Sequence, residues 1–293
     1  GVTVIGRNAF KDCILLSDIT FPEGLKMIGF CAFRGCKSLT SITIPEGVTT
    51  IERLAFCFCS DLINVIIHEG VTEIGESTFT DCHLLRSVIL PNGVTKIGKW
   101  AFERCRKLSS INIPEGVTTI GERAFYCCHL LYSVAIPNSV TVIEREAFRL
   151  CGLTSIIIPD GVKVISERCF SGCVFLVTVV IPRSCDVIYK NAFLKCANLS
   201  LVVGPNILDI RSSQNLLNPH GIRLPPGNIN VVFKGCPRLP RPDYITPHSP
   251  AAVIAANMLN FWSPSTRQLC SPRHRKWIRS VVLILWARLM LSL

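Results

Sequence analysis

IGKWAFERCRKLSSINIP, residues 97–114, is followed five residues later by IGERAFYCCHLLYSVAIP, residues 120–137. The two stretches agree at Ile, Gly, Ala-Phe, Cys, Leu, a β-branched residue, Ile and Pro, all at the same offsets. Outward in both directions the Phe recurs at Phe10, Phe33, Phe56, Phe79, Phe102, Phe125, Phe148, Phe170 and Phe193, in steps of 23 residues with one step of 22 between Phe148 and Phe170. A cysteine stands three residues after each Phe, from Cys13 to Cys196, and a leucine follows it, from Leu16 to Leu199. Five columns that agree over nine copies mark a stacked repeat, in which one unit cannot bury its apolar stripe alone but neighbours together make a continuous core.

Within a unit, an apolar pair at alternate positions is followed by Pro, as in Ile42/Ile44/Pro45, Ile111/Ile113/Pro114 and Val179/Ile181/Pro182. Period-two alternation that ends in a residue without an N–H donor reads as a strand and its stop. A Gly-Val-Thr turn (47–49, 70–72, 93–95, 116–118) then resets the chain, and Ile51, Ile74, Ile97 and Ile120 are expected to pack ahead of the next Phe. The Ala-Phe and Cys segment is expected to be a short helical or irregular stretch. The fold class predicted is therefore an α/β repeat, a curved solenoid with parallel strands on its concave face and the helical or irregular segments on its convex face. With strands about 4.8 Å apart, nine units make a rod roughly 40 Å long.

The pattern I-G-x-x-A-F-x-x-C-x-x-L-x-x-I-x-I-P, as it stands at 97–114 and 120–137, resembles the BspA-like leucine-rich-repeat family. The resemblance covers residues 1–205. It implies a horseshoe-type solenoid used for adhesion and protein recognition, and it implies no enzyme, cofactor or catalytic residue. Two departures are His68 in place of the strand-ending Pro, and Ser184-Cys185-Asp186 in place of the Gly-Val-Thr turn.

Beyond the nine repeats of 1–205 the period lapses, then Val232, Phe233, Cys236 and Leu239 restore Phe, Cys and Leu at the repeat offsets. Residues 206–239 thus read as an irregular insertion and a degenerate C-terminal capping repeat, of the kind solenoids use to cover the last apolar face. Residues 240–293 read as a Pro-containing linker and a basic, apolar tail, expected to be helical. The opening at Gly1 falls inside a regular unit, which reads as a fragment or a processed product.

The formal net charge of +11 suggests nucleic acid until it is located. Residues 205–293 hold eleven Lys/Arg against Asp209 and Asp243, so the repeats carry only +2. A repeat face that tracks a phosphate backbone needs more than that, and no specific nucleic-acid partner is expected. In the tail, Arg273, His274, Arg275 and Lys276 precede the mostly apolar stretch 277–293, whose longest uncharged run is Ser280 to Ala287. That is shorter than the roughly 20 residues a bilayer span needs. Packing on the protein, on a partner or on a membrane surface is expected instead, with a tail anchor as the alternative.

Ten of the sixteen cysteines occupy one column, the nine above and Cys236, and they read as a buried thiol ladder. Cys57-x-Cys59 and Cys127-Cys128 lack a second pair at zinc spacing, so no metal is expected. His83 and His129 share the column after the ladder cysteine but stand two units apart with Arg106 between them, which reads as a variable, solvent-facing column. No phosphate loop or nucleophile elbow is present, so neither cofactor nor catalysis is expected. Abundant unpaired thiols favour a reducing compartment and a cytoplasmic location. A membrane-associated or cell-surface location, drawn from the family's surface members, is the alternative.

The partner expected is therefore a protein, at two outward strand positions per unit. The last three units present Ile157, Val180, Leu201 and Val203 side by side there. A contiguous exposed apolar patch usually marks a binding surface. Plain strand propensity, or coverage by the chain's own tail, are the competing readings.

Overall fold

The computed structural model describes residues 1–182, 184–189, 191–203 and 236, which fall in the first of two units of the chain, Gly1–Leu239. They form a parallel β-solenoid of nine coils. The readings made for the rest of 206–239 and for 240–293 lie outside the described residues.

Two parallel ladders run along the solenoid. The longer strands are those foreseen from the alternating apolar pairs: Ser41–Ile44, Asn64–Ile67 and Ser87–Ile89 in one sheet, and Ser155–Ile157, Thr178–Val180 and Leu201–Val203 in another. Between the two sheets only the bridge Asn112↔Ala135 continues the ladder. Ser41–Ile44 alternates exposed and buried residues, so Ile42 and Ile44 face the core while Ser41 and Thr43 face out.

The second ladder is built of two-residue strands, among them Glu73–Ile74, Lys96–Ile97, Thr119–Ile120 and Val142–Ile143. The isoleucines expected merely to pack ahead of the Phe are its inward members, in register as Ile74↔Ile97 and Ile97↔Ile120. Each is buried.

The helical part of the α/β expectation is corrected. No helix occurs among the described residues. In the segment 54–59, the N–H groups of Leu54, Phe56 and Phe58 donate to the carbonyls of Glu76, Thr78 and Thr80 in the next coil, at 3.0, 3.0 and 2.9 Å. The intervening N–H groups of Ala55, Cys57 and Cys59 donate three residues back, to Glu52, Leu54 and Phe56. Alternate donors thus serve the neighbouring coil and cannot also form the i→i−4 bonds of a helix. To point them outward, the chain takes positive φ at two residues per coil, such as Leu54 (62°) and Phe58 (63°), or Trp100 (56°) and Arg104 (58°). Such residues cost about 1–2 kcal/mol each when they carry a Cβ, and the inter-coil bonds offset that cost.

The core is a column of phenylalanines. Adjacent rings from Phe10 to Phe193 stack nearly parallel, with centroids 5.0–5.6 Å apart and planes within 9°. From Phe33 onward each ring is fully buried. Beside it runs the cysteine column, buried from Cys36 to Cys196, whereas Cys13 in the first coil is exposed. Each buried thiol donates to the carbonyl of the Phe one coil earlier, as Cys59 to Phe33 and Cys128 to Phe102, both at 3.2 Å. Cys236 does the same to Phe193 at 3.2 Å, which places it in the tenth position of that column.

Candidate protein-binding surface

The longer strands hold all four residues singled out from the sequence, and Ile157 and Val180 stand on their outward face. Ile157 pairs with Val180, and Val180 with Val203, so these three share one column across three consecutive strands. Leu201 belongs to the adjacent outward column, opposite Thr178, which is itself opposite Ser155. Ile157, Val180 and Leu201 are half-buried, less open than the sequence pattern suggested; the side chain of Val203 lies outside the described residues. On a sheet with strands about 4.8 Å apart, branched neighbours in register shield one another.

A more exposed apolar residue sits in the same column earlier in the chain. Ile89 is 58% exposed and pairs in register with Ile66. The column therefore has two apolar stretches, separated by Asn112 and Ala135. The sequence signal for the first was present, but its mixed polar neighbours masked it. Alongside, the other outward column is lined with hydroxyls and amides, and Ser87 donates its Oγ to Oδ1 of Asn64 at 2.8 Å.

A buried charge cluster went unnoticed in the sequence. The side chain of Glu146 is fully buried, and four arginines converge on it: Arg123 at 2.8 Å, Arg149 at 3.1 Å, Arg145 at 3.4 Å and Arg168 at 3.5 Å. Arg123, Glu146 and Arg168 occupy the first positive-φ position of three consecutive coils, so their side chains leave the turns on the same side. Burial would raise the Glu146 pKa, but hydrogen bonds from Arg123 and Arg149 outweigh it and hold the carboxyl below its ordinary value. Reading down that column at the repeat spacing would have revealed the alternating charges. Tyr126 lies between two of the arginines, Arg123 and Arg149, each 5.5 Å from its ring.

Among the described residues no three His, Cys, Asp or Glu side chains converge as metal ligands. The thiols of Cys57 and Cys173 are pushed up to about 12 and that of Cys36 to about 11, chiefly by burial, so they are protonated at neutral pH. His83 sits with Nδ1 3.2 Å from the Arg104 carbonyl and Nε2 3.7 Å from Asp81. His129 titrates below its ordinary value because of burial and Arg106. Among the described residues no helix is long and apolar enough to cross a membrane. The tail segment 277–293 lies outside them.

Comparison with known proteins agrees with the repeat. A family model described as the BspA type leucine rich repeat region matches in six copies over residues 3–132 and 118–216. Among solved structures, a leucine-rich repeat protein from Bacteroides ovatus is 28% identical over 74% of this chain, with a TM-score of 0.61. The chain spans 60% of that protein's length. A leucine rich cell surface protein from Faecalibacterium prausnitzii is 30% identical, over 69% of this chain and 70% of its own, with a TM-score of 0.39. The leucine rich repeat protein of T. pallidum is 28% identical over 69% of this chain and 78% of its own, with a TM-score of 0.48. A search of curated proteins gave no match.

Proposed function

The chain belongs to the BspA-type leucine-rich-repeat family, and from that premise we propose that it is a non-enzymatic scaffold that binds a protein partner through the outward face of its longer strands. The register of Ile157, Val180 and Val203 carries this reading. The β-branched side chains of Ile157 and Val180 in one column, with Leu201 beside them, give a partner apolar surface to desolvate. The neighbouring Ser155 and Thr178 supply donors and acceptors that orient it. Burial of such surface contributes about 25 cal/mol per Å², so a few fully covered side chains act as an anchor within a larger interface.

The test is co-precipitation with the whole chain as bait, wild type against Ile157→Asp/Val180→Asp. Loss of the captured partner with an unchanged circular dichroism spectrum is the expected result. A folded variant that captures the same partner equally well removes this face from consideration. Should the aspartates unfold the sheet, Ile157→Thr/Val180→Thr keeps the β-branch and isolates the loss of apolar surface.

The number of thiols supports a reducing, cytoplasmic setting. Alkylation of intact cells before lysis should trap the cysteines as free thiols. Extensive disulfides would replace that setting with an oxidising one, such as the cell surface named for the F. prausnitzii relative.

A further inference from the structure

The turn columns of the solenoid carry charge throughout, but the charge is matched in only part of it. Further along, several basic residues there meet acids: Lys99 with Glu122 at 2.8 Å, Arg123 with Glu146 at 2.8 Å, and Arg104 with Asp81 at 3.7 Å. In the first three coils Arg7 and Arg53 hold the column of Lys99, three residues before the Phe, and Arg34 stands one residue after it; none of these forms an ion pair among the described residues. Each is instead held against an aromatic face. Arg7 and Arg53 lie over the ring of Phe30, at 4.7 and 5.1 Å, and Arg34 lies over Phe58 at 5.1 Å. A guanidinium stacked on a ring keeps its in-plane N–H donors free, and those donors match the two oxygens of a carboxylate.

Arg7 and Arg53 border an open groove. A cavity of about 750 Å³ is lined by Arg7, Phe30, Arg53 and the exposed hydroxyl residues Thr49, Thr50 and Thr72. Glu52 and Glu73 line it too, but both are engaged: Glu52 accepts the Phe30 N–H, and Glu73 pairs with Lys96 at 2.8 Å. Glu76 stands in the coil after Arg53 without reaching it. The groove is thus a set of discrete cationic forks separated by hydroxyls and carboxylates. Charge in this pattern rejects a uniform polyanion, whose phosphates would lie against Glu52 and Glu73. It suits an extended peptide whose acidic side chains are spaced by neutral residues.

We infer that the groove between Arg7 and Arg53 binds an acidic peptide segment of a protein partner, with its carboxylates held by the ring-stacked arginines. This surface runs along the two-residue strands, so the reading stands or falls separately from that of the longer-strand face.

The test uses the whole chain and a ten-residue peptide with Asp or Glu at alternate positions, carrying a photoreactive label. Affinity is measured at low and at high salt, and cross-links are mapped to residues. Cross-links within residues 7–75, salt-sensitive binding, and loss of both by about tenfold or more in Arg7→Gln/Arg53→Gln are expected. Lys163→Gln, an exposed substitution far along the chain, should bind as the wild type does. Both variants should melt as the wild type does, because the changed side chains are exposed. Cross-links confined to the basic segment 205–293, or unchanged binding by the double variant, overturn the inference. So does tighter binding of a single-stranded oligonucleotide of equal charge, competing for the same cross-linked residues.

Discussion

The thiol of Cys105 donates to the main-chain carbonyl of Phe79, 3.2 Å away in the preceding coil. The same carbonyl also accepts the N–H of Cys82 at 3.3 Å. The cysteine column therefore fills core volume and joins successive coils through one side-chain donor per repeat. A sulfur is apolar enough for the interior and still a weak donor.

Cys105→Ala removes both roles, and a loss of about 1–2 kcal/mol in unfolding free energy is expected from the cavity and the missing donor. Cys105→Val restores the volume without the donor and should recover most of that loss. Urea denaturation of the three proteins measures it. Equal stability of the alanine variant and the wild type would show that the column is filler.

Alkali should weaken the fold. Burial raises the Cys57 and Cys173 thiols to about 12 and Cys36 to about 11, from an ordinary value of 9.0. The unfolded chain loses these protons first, so the contribution is fully present below pH 9 and is lost as pH rises through the folded values. The urea midpoint should fall between about pH 8 and about pH 10.5. A midpoint that stays level across that window contradicts the assignment. In the native state at neutral pH the same thiols should react slowly with a disulfide reagent, and all sixteen cysteines of the chain should react after denaturation without reductant.

Replacement of Glu146 by Ala leaves Arg123 and Arg149 without their shared acceptor. Removal of one member of a fully buried pair costs about 3–5 kcal/mol. The arginine side chains here are 30–47% exposed, and solvent screening reduces the expected loss to about 2 kcal/mol. Because the Glu146 carboxyl is held below its ordinary 4.5, its stabilising contribution is present above pH 4.5 and lost as pH falls through the folded value. The wild type and Glu146→Ala should therefore converge in stability in acid. A gap that stays constant with pH would contradict the ionic account.

The positive-φ column offers opposite substitutions at equivalent sites. Gly172 has φ +73°, and a Cβ there would lie 2.5 Å from Cδ2 of Leu150, so Gly172→Ala should destabilise by about 1–3 kcal/mol. One coil on, exposed Lys195 holds φ 61° with a Cβ already present. Lys195→Gly should lose little and gain up to about 1 kcal/mol from relief of strain. Thermal melts decide it; equal effects of the two changes would dismiss strain as the cause.

The correct and incorrect parts of the sequence reading share one cause. The longer strands, the phenylalanine stack and the cysteine column were legible because each rests on side-chain type at a fixed spacing. Leu150 and Lys195, by contrast, give no hint of a left-handed backbone. The segments between Ala-Phe and Leu contain good helix formers, so a short helix and an irregular stretch were both open as local readings, and the structure has the irregular one. The register of Ile157, Val180 and Val203 in one column was legible, but the half-burial of Ile157 and Val180 was not, because shielding depends on the neighbouring strands.

The amino-acid sequence by itself determined the period, the nine coils and which columns face inward, since a repeat that must stack on its own copies has one way to bury its Phe, Cys and Leu. Tertiary structure alone decided how the turn segments run. There alternate N–H groups bond to the next coil, as Phe56 does to Thr78 at 3.0 Å, and those bonds outweigh the local preference for a helix. It also decided that Glu146 is buried among four arginines while Arg7 and Arg53 rest on Phe30. Arg145 and Arg149 stand beside Glu146 in its own coil, but Arg123 and Arg168, like the two arginines on Phe30, meet their partners at sequence separations of about one repeat, which no local window of residues contains.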